Sequence, residues 1–202
     1  EGGDENDHIY AYGYIDKEGT RSYLEEGEAT VTGGAGDDYI QVEYYETVKV
    51  EGGEGNDRLQ NFKHIQGDVE IDSGNGNDSF REFRYIEGDV KINAGAGNDY
   101  FYYLRDIQGD IEVDLGLGDD NISYVKYTQG SLVIKGDQGK DHVYEVNHGV
   151  KVEIDGGTDD DNLSIYDFQN GELLGGTGND QLTATYNAYY WDVNYSRDKN
   201  SS

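Results

Sequence analysis

Apolar residues recur along this chain in one repeating order. Ile9, Ile40, Leu59, Phe80, Phe101, Ile122, Val143, Leu163 and Leu182 each stand two residues after an aspartate. Three residues further on, in the regular copies, come Phe62, Phe83, Leu104, Val125 and Val146. Three beyond those come Ile65, Ile86 and Ile107, with Thr128 as the exception. A short turn follows, reading QGD at 66–68, EGD at 87–89, QGD at 108–110 and QGS at 129–131. Two alternating apolar positions close each unit: Val69/Ile71, Val90/Ile92, Ile111/Val113, Leu132/Ile134 and Val152/Ile154. Alternation bounded by glycine turns predicts short strands, and no stretch sustains the 3.6-residue period of a helix.

The period is set by the aspartates that close each glycine loop: Asp7, Asp38, Asp57, Asp78, Asp99, Asp120, Asp141, Asp161 and Asp180. Their successive separations are 31, 19, 21, 21, 21, 21, 20 and 19 residues. One such unit cannot bury its own apolar face, but stacked copies place every apolar column in one continuous core. The expected fold is therefore all-β, a parallel β-solenoid of about nine coils, each rising about 4.8 Å. Residue 10–27 is an insertion that lengthens the first coil. The position between the two alternating apolar residues reads Lys49, Glu70, Lys91, Glu112, as stacked neighbours of opposite charge should. Such exposed pairs are each worth well under ~1 kcal/mol and serve mainly to report register. A second column, Lys63, Arg84, Arg105 and Lys126, is wholly basic and requires acidic neighbours or an anionic partner.

Composition sharpens the picture. The 202 residues carry 15 Lys and Arg against 43 Asp and Glu, a formal charge of −28 that excludes nucleic acid and anionic membranes as general partners. Mean hydropathy is −0.87, which alone would predict disorder. The 19 tyrosines argue against a disordered tail, so something must neutralise the carboxylates before the chain collapses. Cysteine is absent, which rules out disulfides and thiolate metal sites. No apolar run approaches membrane-spanning length. The chain opens at Glu1 without Met and is read as part of a larger or processed protein.

The loops read GGDEND, GGAGDD, GGEGND, SGNGND, AGAGND, LGLGDD, GDQGKD, GGTDDD and GGTGND. Glycine frees φ, so successive carbonyls can turn to one side. Stacking brings one closing Asp about 4.8 Å from the next, where two bare carboxylates repel. A hard cation between them converts the repulsion into coordination. Calcium takes six to eight oxygens, carboxylates and carbonyls included, in a tolerant geometry. Magnesium is stricter, and zinc prefers nitrogen or sulfur. The histidines, His8, His64, His142 and His148, form no column. Ordinary turn chemistry is the competing reading of these loops, and it is the favoured one for the opposite corners at Asp68, Asp89 and Asp110.

These loops resemble the calcium-binding nonapeptide of RTX (repeats-in-toxin) proteins, G-G-x-G-x-D-x-U-x with U apolar. GGEGNDRLQ at 52–60 matches throughout, as do GGAGDDYIQ at 33–41 and GGTGNDQLT at 175–183. The resemblance covers residues 2–183. It implies a right-handed parallel β-roll with calcium between coils. It further implies carbonyl ligands from the first and third loop positions plus the closing Asp, with second- and fourth-position carbonyls and the Asp of the neighbouring coil. For one pair of coils these are Ser73, Asn75 and Asp78 with Gly95, Gly97 and Asp99. Across the chain the implied metal positions are Gly34, Gly36 and Asp38; Gly52, Gly53, Glu54, Gly55 and Asp57; Ser73, Gly74, Asn75, Gly76 and Asp78; and Ala94, Gly95, Ala96, Gly97 and Asp99. The remainder are Leu115, Gly116, Leu117, Gly118 and Asp120; Gly139 and Asp141; Gly157 and Asp161; and Gly176, Gly178 and Asp180.

The chain departs from that family in having one loop per 21 residues, so calcium should line a single edge. The first glycine is replaced by Ser73, Ala94 and Leu115 in three central copies, where a carbonyl donor still remains. Glu5, Asp137 and Asp159 replace other loop glycines and Lys140 adds a cation, so weaker or altered binding is expected at the first, seventh and eighth loops. The insertion also weakens the expectation for an Asp7–Asp38 site. Nine loops leave at most eight gaps, and about seven Ca²⁺ would supply roughly +14.

Residues 1–183 are thus expected to form the calcium-binding repeats. Residues 184–202 are expected to form an aromatic cap (Tyr189, Tyr190, Trp191) and a frayed tail. With 43 acids, close carboxylate pairs are unavoidable and are no sign of catalysis, and no Ser/His/Asp arrangement or phosphate loop stands out. The expected function is a non-enzymatic, calcium-folded structural module of a secreted or cell-surface bacterial protein, with type I export implied by the resemblance. Two alternatives stand beside it. One is a β-helix that binds or modifies carbohydrate, with an extracellular glycan or a protein as partner of the tyrosine-rich face. The other is an ice-binding adhesin segment, for which Asn56, Asn77 and Asn98 supply one row and only Thr158 and Thr177 the other.

Overall fold

In a computed structural model the described residues are 1–17, 20–23, 27–147, 151–185 and 193–196, with side chains for 1–13, 27–147 and 151–185. Two parallel sheets of nine strands each face one another across the core. One, here called the loop-exit sheet, runs β1 (His8–Tyr12), β5 (Tyr39–Glu43), β7 (Arg58–Ile65), β9 (Ser79–Ile86), β11 (Tyr100–Ile107), β13 (Asn121–Lys126), β15 (His142–Asn147), β17 (Asn162–Tyr166) and β19 (Gln181–Thr185). The other, the loop-entry sheet, runs β4 (Glu28–Ala35), β6 (Thr47–Glu54), β8 (Val69–Asn75), β10 (Val90–Asn93), β12 (Ile111–Asp114), β14 (Ser131–Lys135), β16 (Lys151–Asp155), β18 (Asn170–Leu174) and β20 (Val193–Ser196). From the second glycine loop onward, each joins a loop-entry strand to the next loop-exit strand. In seven coils, β5/β6 through β17/β18, three or four residues separate the two strands, and in the coil at each end more do. The chain is an all-β parallel solenoid with no helix among the described residues.

The insertion contributes an antiparallel hairpin, β2 (Tyr14–Lys17) with β3 (Thr20–Tyr23). At the other end β20 pairs in parallel with β18. The expected cap residues Tyr189, Tyr190 and Trp191, the end of the tail and His148 lie outside the described residues.

Stacking follows the apolar columns. Leu59 pairs with Phe80, Phe80 with Phe101 and Phe101 with Ile122; Val69 pairs with Val90 and Val90 with Ile111. The rings of Phe80 and Phe101 stack at 4.1 Å and 4°, and those of Phe62 and Phe83 at 4.5 Å and 3°. All four phenylalanines are fully buried. The charged column also holds register, Lys49 opposite Glu70 and Lys91 between Glu70 and Glu112. Its ion pairs are partly local: Lys91 reaches Glu112 at 3.9 Å, whereas Lys49 turns to Glu51 at 3.6 Å.

The loop-exit strands are not regular pleats. Their buried positions fall three residues apart, a spacing that would alternate between faces in an ideal strand. The fourth and seventh residues after the closing Asp resolve the conflict. Asn61 and His64, Glu82 and Tyr85, Tyr103 and Asp106, and Tyr124 and Tyr127 all have φ between 55° and 64°. Each left-handed residue bends the strand and returns the next apolar side chain to the core. Two outward side chains are therefore left between successive inward ones.

Candidate metal centre

The glycine loops form one edge of the solenoid, and their geometry begins with the backbone. Second-position carbonyls point to the following coil: Gly74 accepts from Ala96 N–H at 3.0 Å, and Gly95 from Leu117 N–H at 2.9 Å. Third-position carbonyls point back: Asn75 accepts from Gly55 N–H at 2.8 Å, Ala96 from Gly76 at 2.7 Å, and Leu117 from Gly97 at 2.7 Å. The fourth-position carbonyl of Gly55 lies against the Cα of Gly76, so tightly that an added Cβ would overlap it. The first-position carbonyl of Ala94 reaches back to the hydroxyl of Ser73 at 2.7 Å.

Between the coils of Asp78 and Asp99, the inward-facing carbonyls are thus those of Gly74, Gly76, Ala94 and Ala96. This reverses the order implied by the family resemblance, which assigned Ser73 and Asn75 with Gly95 and Gly97 to that gap. The second- and third-position carbonyls are also engaged in coil-to-coil hydrogen bonds.

The closing aspartates form a ladder. Oδ1 of each accepts the N–H of the closing Asp one coil earlier: Asp38 from Asp7 at 2.7 Å, Asp57 from Asp38 at 2.8 Å, Asp78 from Asp57 at 2.8 Å and Asp99 from Asp78 at 2.7 Å. Asp120, Asp141, Asp161 and Asp180 continue it at 2.7–3.0 Å. The Asp7–Asp38 step is in register despite the insertion.

Oδ2 of Asp38, Asp57, Asp78, Asp99, Asp120, Asp141 and Asp161 is buried and closes no hydrogen bond, although the Ser73 hydroxyl lies near enough to Asp78 to favour its charged form. Burial is the main cause that pushes six of these carboxyls up: Asp57 to about 7, Asp78, Asp120 and Asp161 to about 6, and Asp99 and Asp141 to about 8. The ladder N–H opposes the rise in every case. Neighbouring carboxylates add to it at Asp99, where Asp78 and Asp120 both contribute.

What faces Oδ2 depends on the first loop position. A methyl group built on Gly52 would lie 2.5 Å from both Asp57 Oδ2 and the Ser73 carbonyl oxygen. The equivalent point at Gly33 lies between Asp38 Oδ2 and the Gly52 carbonyl, and at Gly136 between Asp141 Oδ2 and the Gly156 carbonyl. At the three central coils that point carries a real side chain. Ser73, Ala94 and Leu115 are each fully buried. Sequence reasoning treated these replacements as harmless to a carbonyl donor and missed that their side chains turn inward. The signal was present, since the three non-glycine residues are consecutive in the stack.

The donor set is carboxylate and peptide carbonyl oxygen, which suits a hard divalent cation. Among the described residues no three His, Cys, Asp or Glu side chains converge on one point, so carbonyls must complete any coordination. His64 is stacked between Tyr44 at 4.9 Å and Tyr85 at 5.1 Å on the outer face, away from the loops. In the altered loops Asp137 and Asp159 adopt φ of 65° and 79°, preserving the turn without glycine. Lys140 turns outward to Asp160 at 3.4 Å.

Two further ladders hold the corners. Fifth-position side chains run the opposite way to the closing aspartates, with Asn56 Oδ1 accepting from Asn77 N–H at 2.9 Å and Asn77 Oδ1 from Asn98 N–H at 2.6 Å. At the opposite corner Asp68 Oδ1 accepts from Asp89 N–H and Asp89 Oδ1 from Asp110 N–H, at 2.9 and 2.8 Å. These exposed aspartates are turn residues, as expected. No protein family, curated protein or solved structure matches this chain.

Proposed function

We propose that this chain is a calcium-binding solenoid of RTX type whose coils are joined by calcium. It would serve as a structural segment of a secreted or cell-surface bacterial protein: a spacer, adhesin segment or folding nucleus. The observation that carries this reading is the column of seven buried Oδ2 atoms with no partner, from Asp38 to Asp161. Buried carboxylates in a column are costly unless protonated or paired with a cation. Calcium would neutralise the members of this column whose loop begins with glycine and offset part of the −28 charge.

The ion would be held where a glycine leaves Oδ2 and the next coil's first carbonyl facing one point: Asp7 with Gly33, Asp38 with Gly52, Asp57 with Ser73, Asp141 with Gly156, and Asp161 with Gly175. Because such sites exist only between stacked coils, binding and folding are coupled. Low cytosolic calcium would keep the chain unfolded for export, and calcium outside would fold it.

Circular dichroism in chelator and in millimolar calcium tests the coupling. At pH 8 the expected result is a disordered spectrum in chelator and a β spectrum in calcium; a full β spectrum in chelator at that pH overturns calcium-driven folding. Equilibrium dialysis tests binding separately, and a chain that retains no calcium overturns the metal assignment.

A further inference from the structure

The outer face of the loop-exit sheet has a charge opposite to that of the rest of the molecule. Strands β7, β9, β11 and β13 hold six of the chain's 15 Lys and Arg, namely Arg58, Lys63, Arg81, Arg84, Arg105 and Lys126. They hold only two of its 43 acids, Glu82 and Asp106. Lys63, Arg84, Arg105 and Lys126 stand in register, one per coil, and so repeat about every 4.8 Å along the solenoid axis. Their acidic neighbours come close without closing a hydrogen bond. Lys63 and Arg84 share Glu82 at 3.9 and 3.6 Å, Arg105 lies 3.7 Å from Asp106, and Lys126 lies 3.8 Å from Glu145. Arg84 Nε has no hydrogen-bond partner at all.

Aromatic rings flank the row. Tyr103 and Tyr124 stack at 5.2 Å, and Tyr102 meets both edge-on at 4.3 and 5.0 Å. Arg105 lies over Tyr103 at 5.8 Å, Lys126 over Tyr124 at 4.7 Å and Arg84 over Tyr85 at 5.4 Å. Tyr85, Tyr103 and Tyr124 are presented by left-handed backbone, a conformation that bulky residues hold only where the surrounding structure imposes it.

We propose that this face binds an acidic polysaccharide, a uronate polymer lying along the solenoid axis. The cation row meets carboxylates that recur along the sugar chain, and the tyrosine rings receive the C–H faces of the sugars. A polymer with one carboxylate on some of its sugars suits a narrow basic strip within a strongly acidic molecule. A nucleic acid, with charge on every unit, would be repelled wherever it ran past the strip.

The test is calorimetric titration of the full chain in calcium with hyaluronan oligosaccharides, a neutral glucan, single-stranded DNA and polyglutamate. Binding is expected for hyaluronan alone and should weaken when salt rises from about 0.05 M to about 0.3 M. Combining Arg84→Gln, Arg105→Gln and Lys126→Gln should cost about tenfold or more in affinity. Tyr124→Asn, which tolerates the left-handed backbone, should weaken binding several-fold with the fold intact. Equal or tighter binding of DNA or polyglutamate, binding of neutral glucan, or unchanged affinity in the triple variant overturns the proposal. Circular dichroism of the same samples separates the two readings: a folded chain that ignores hyaluronan defeats this proposal and leaves the calcium reading standing.

Discussion

The backbone N–H of Asp78 donates to Oδ1 of Asp99, 21 residues later and one coil on, at 2.7 Å. Asp99 Oδ2 is left buried and without a partner. One carboxyl group therefore joins two coils through one oxygen and leaves the other buried, to be met by a proton or a cation.

Substitutions at Asp99 should separate these roles. Asp99→Asn keeps a carbonyl acceptor for Asp78 N–H and removes the ionisable group, so in calcium at pH 8 it should be at least as stable as the parent. Asp99→Ala leaves a buried N–H unpaired and should lose about 1–3 kcal/mol. Urea unfolding of the two variants in calcium measures the difference.

Metal-free stability should fall as pH rises. The buried aspartates have carboxyls raised to between about 6 and 8, so the folded state holds protons that the unfolded chain, titrating near 4, releases. The stabilisation is complete below the ordinary carboxylate range and is lost as pH passes through 6 to 8. Thermal melts in chelator should show a folding transition at pH 5 that is lost by pH 9. With calcium present the trend should reverse, because bound metal displaces those protons.

Opening a central coil should add a calcium site. Ser73 places its hydroxyl 2.7 Å from the Ala94 carbonyl, at the position that stands empty of side chain beside Gly52. Ser73→Gly should lose about 1 kcal/mol in chelator at pH 5 and raise the calcium stoichiometry measured by dialysis at pH 8 by one. An unchanged count would show that first-position side chains do not govern occupancy.

Glycines of different loops should respond very differently to a single methyl. Gly76 has φ of 143°, and a Cβ there would overlap the Gly55 carbonyl oxygen; a Cβ on Gly3 would meet nothing within 4 Å. Gly76→Ala should abolish or severely weaken folding in calcium, whereas Gly3→Ala should stay within about 0.5 kcal/mol. Melting curves of the two proteins decide this.

The architecture was legible because a solenoid repeats its instructions. Each coil buries the same columns, so Leu59, Phe80, Phe101 and Ile122 announce their stacking by position alone. The Lys49–Glu70–Lys91–Glu112 row marked the same register independently. The candidate site was legible as composition, but its internal order was not. Which way the carbonyls of Gly74 and Asn75 point depends on how one loop lies on another. The glycine columns at positions two and four serve that close stacking first, and any metal second.

By itself the sequence determined the period, the parallel stacking, the core columns and the edge on which the carboxylates gather, since each is a property of repetition along the chain. Only the tertiary structure decided that Tyr103 and Tyr124 take left-handed backbone and that Ser73, Ala94 and Leu115 turn inward. It also decided that one oxygen of each closing Asp is left buried and unpaired. These depend on contacts with the coils above and below, where the packing of neighbours overrides what any single 21-residue unit would prefer.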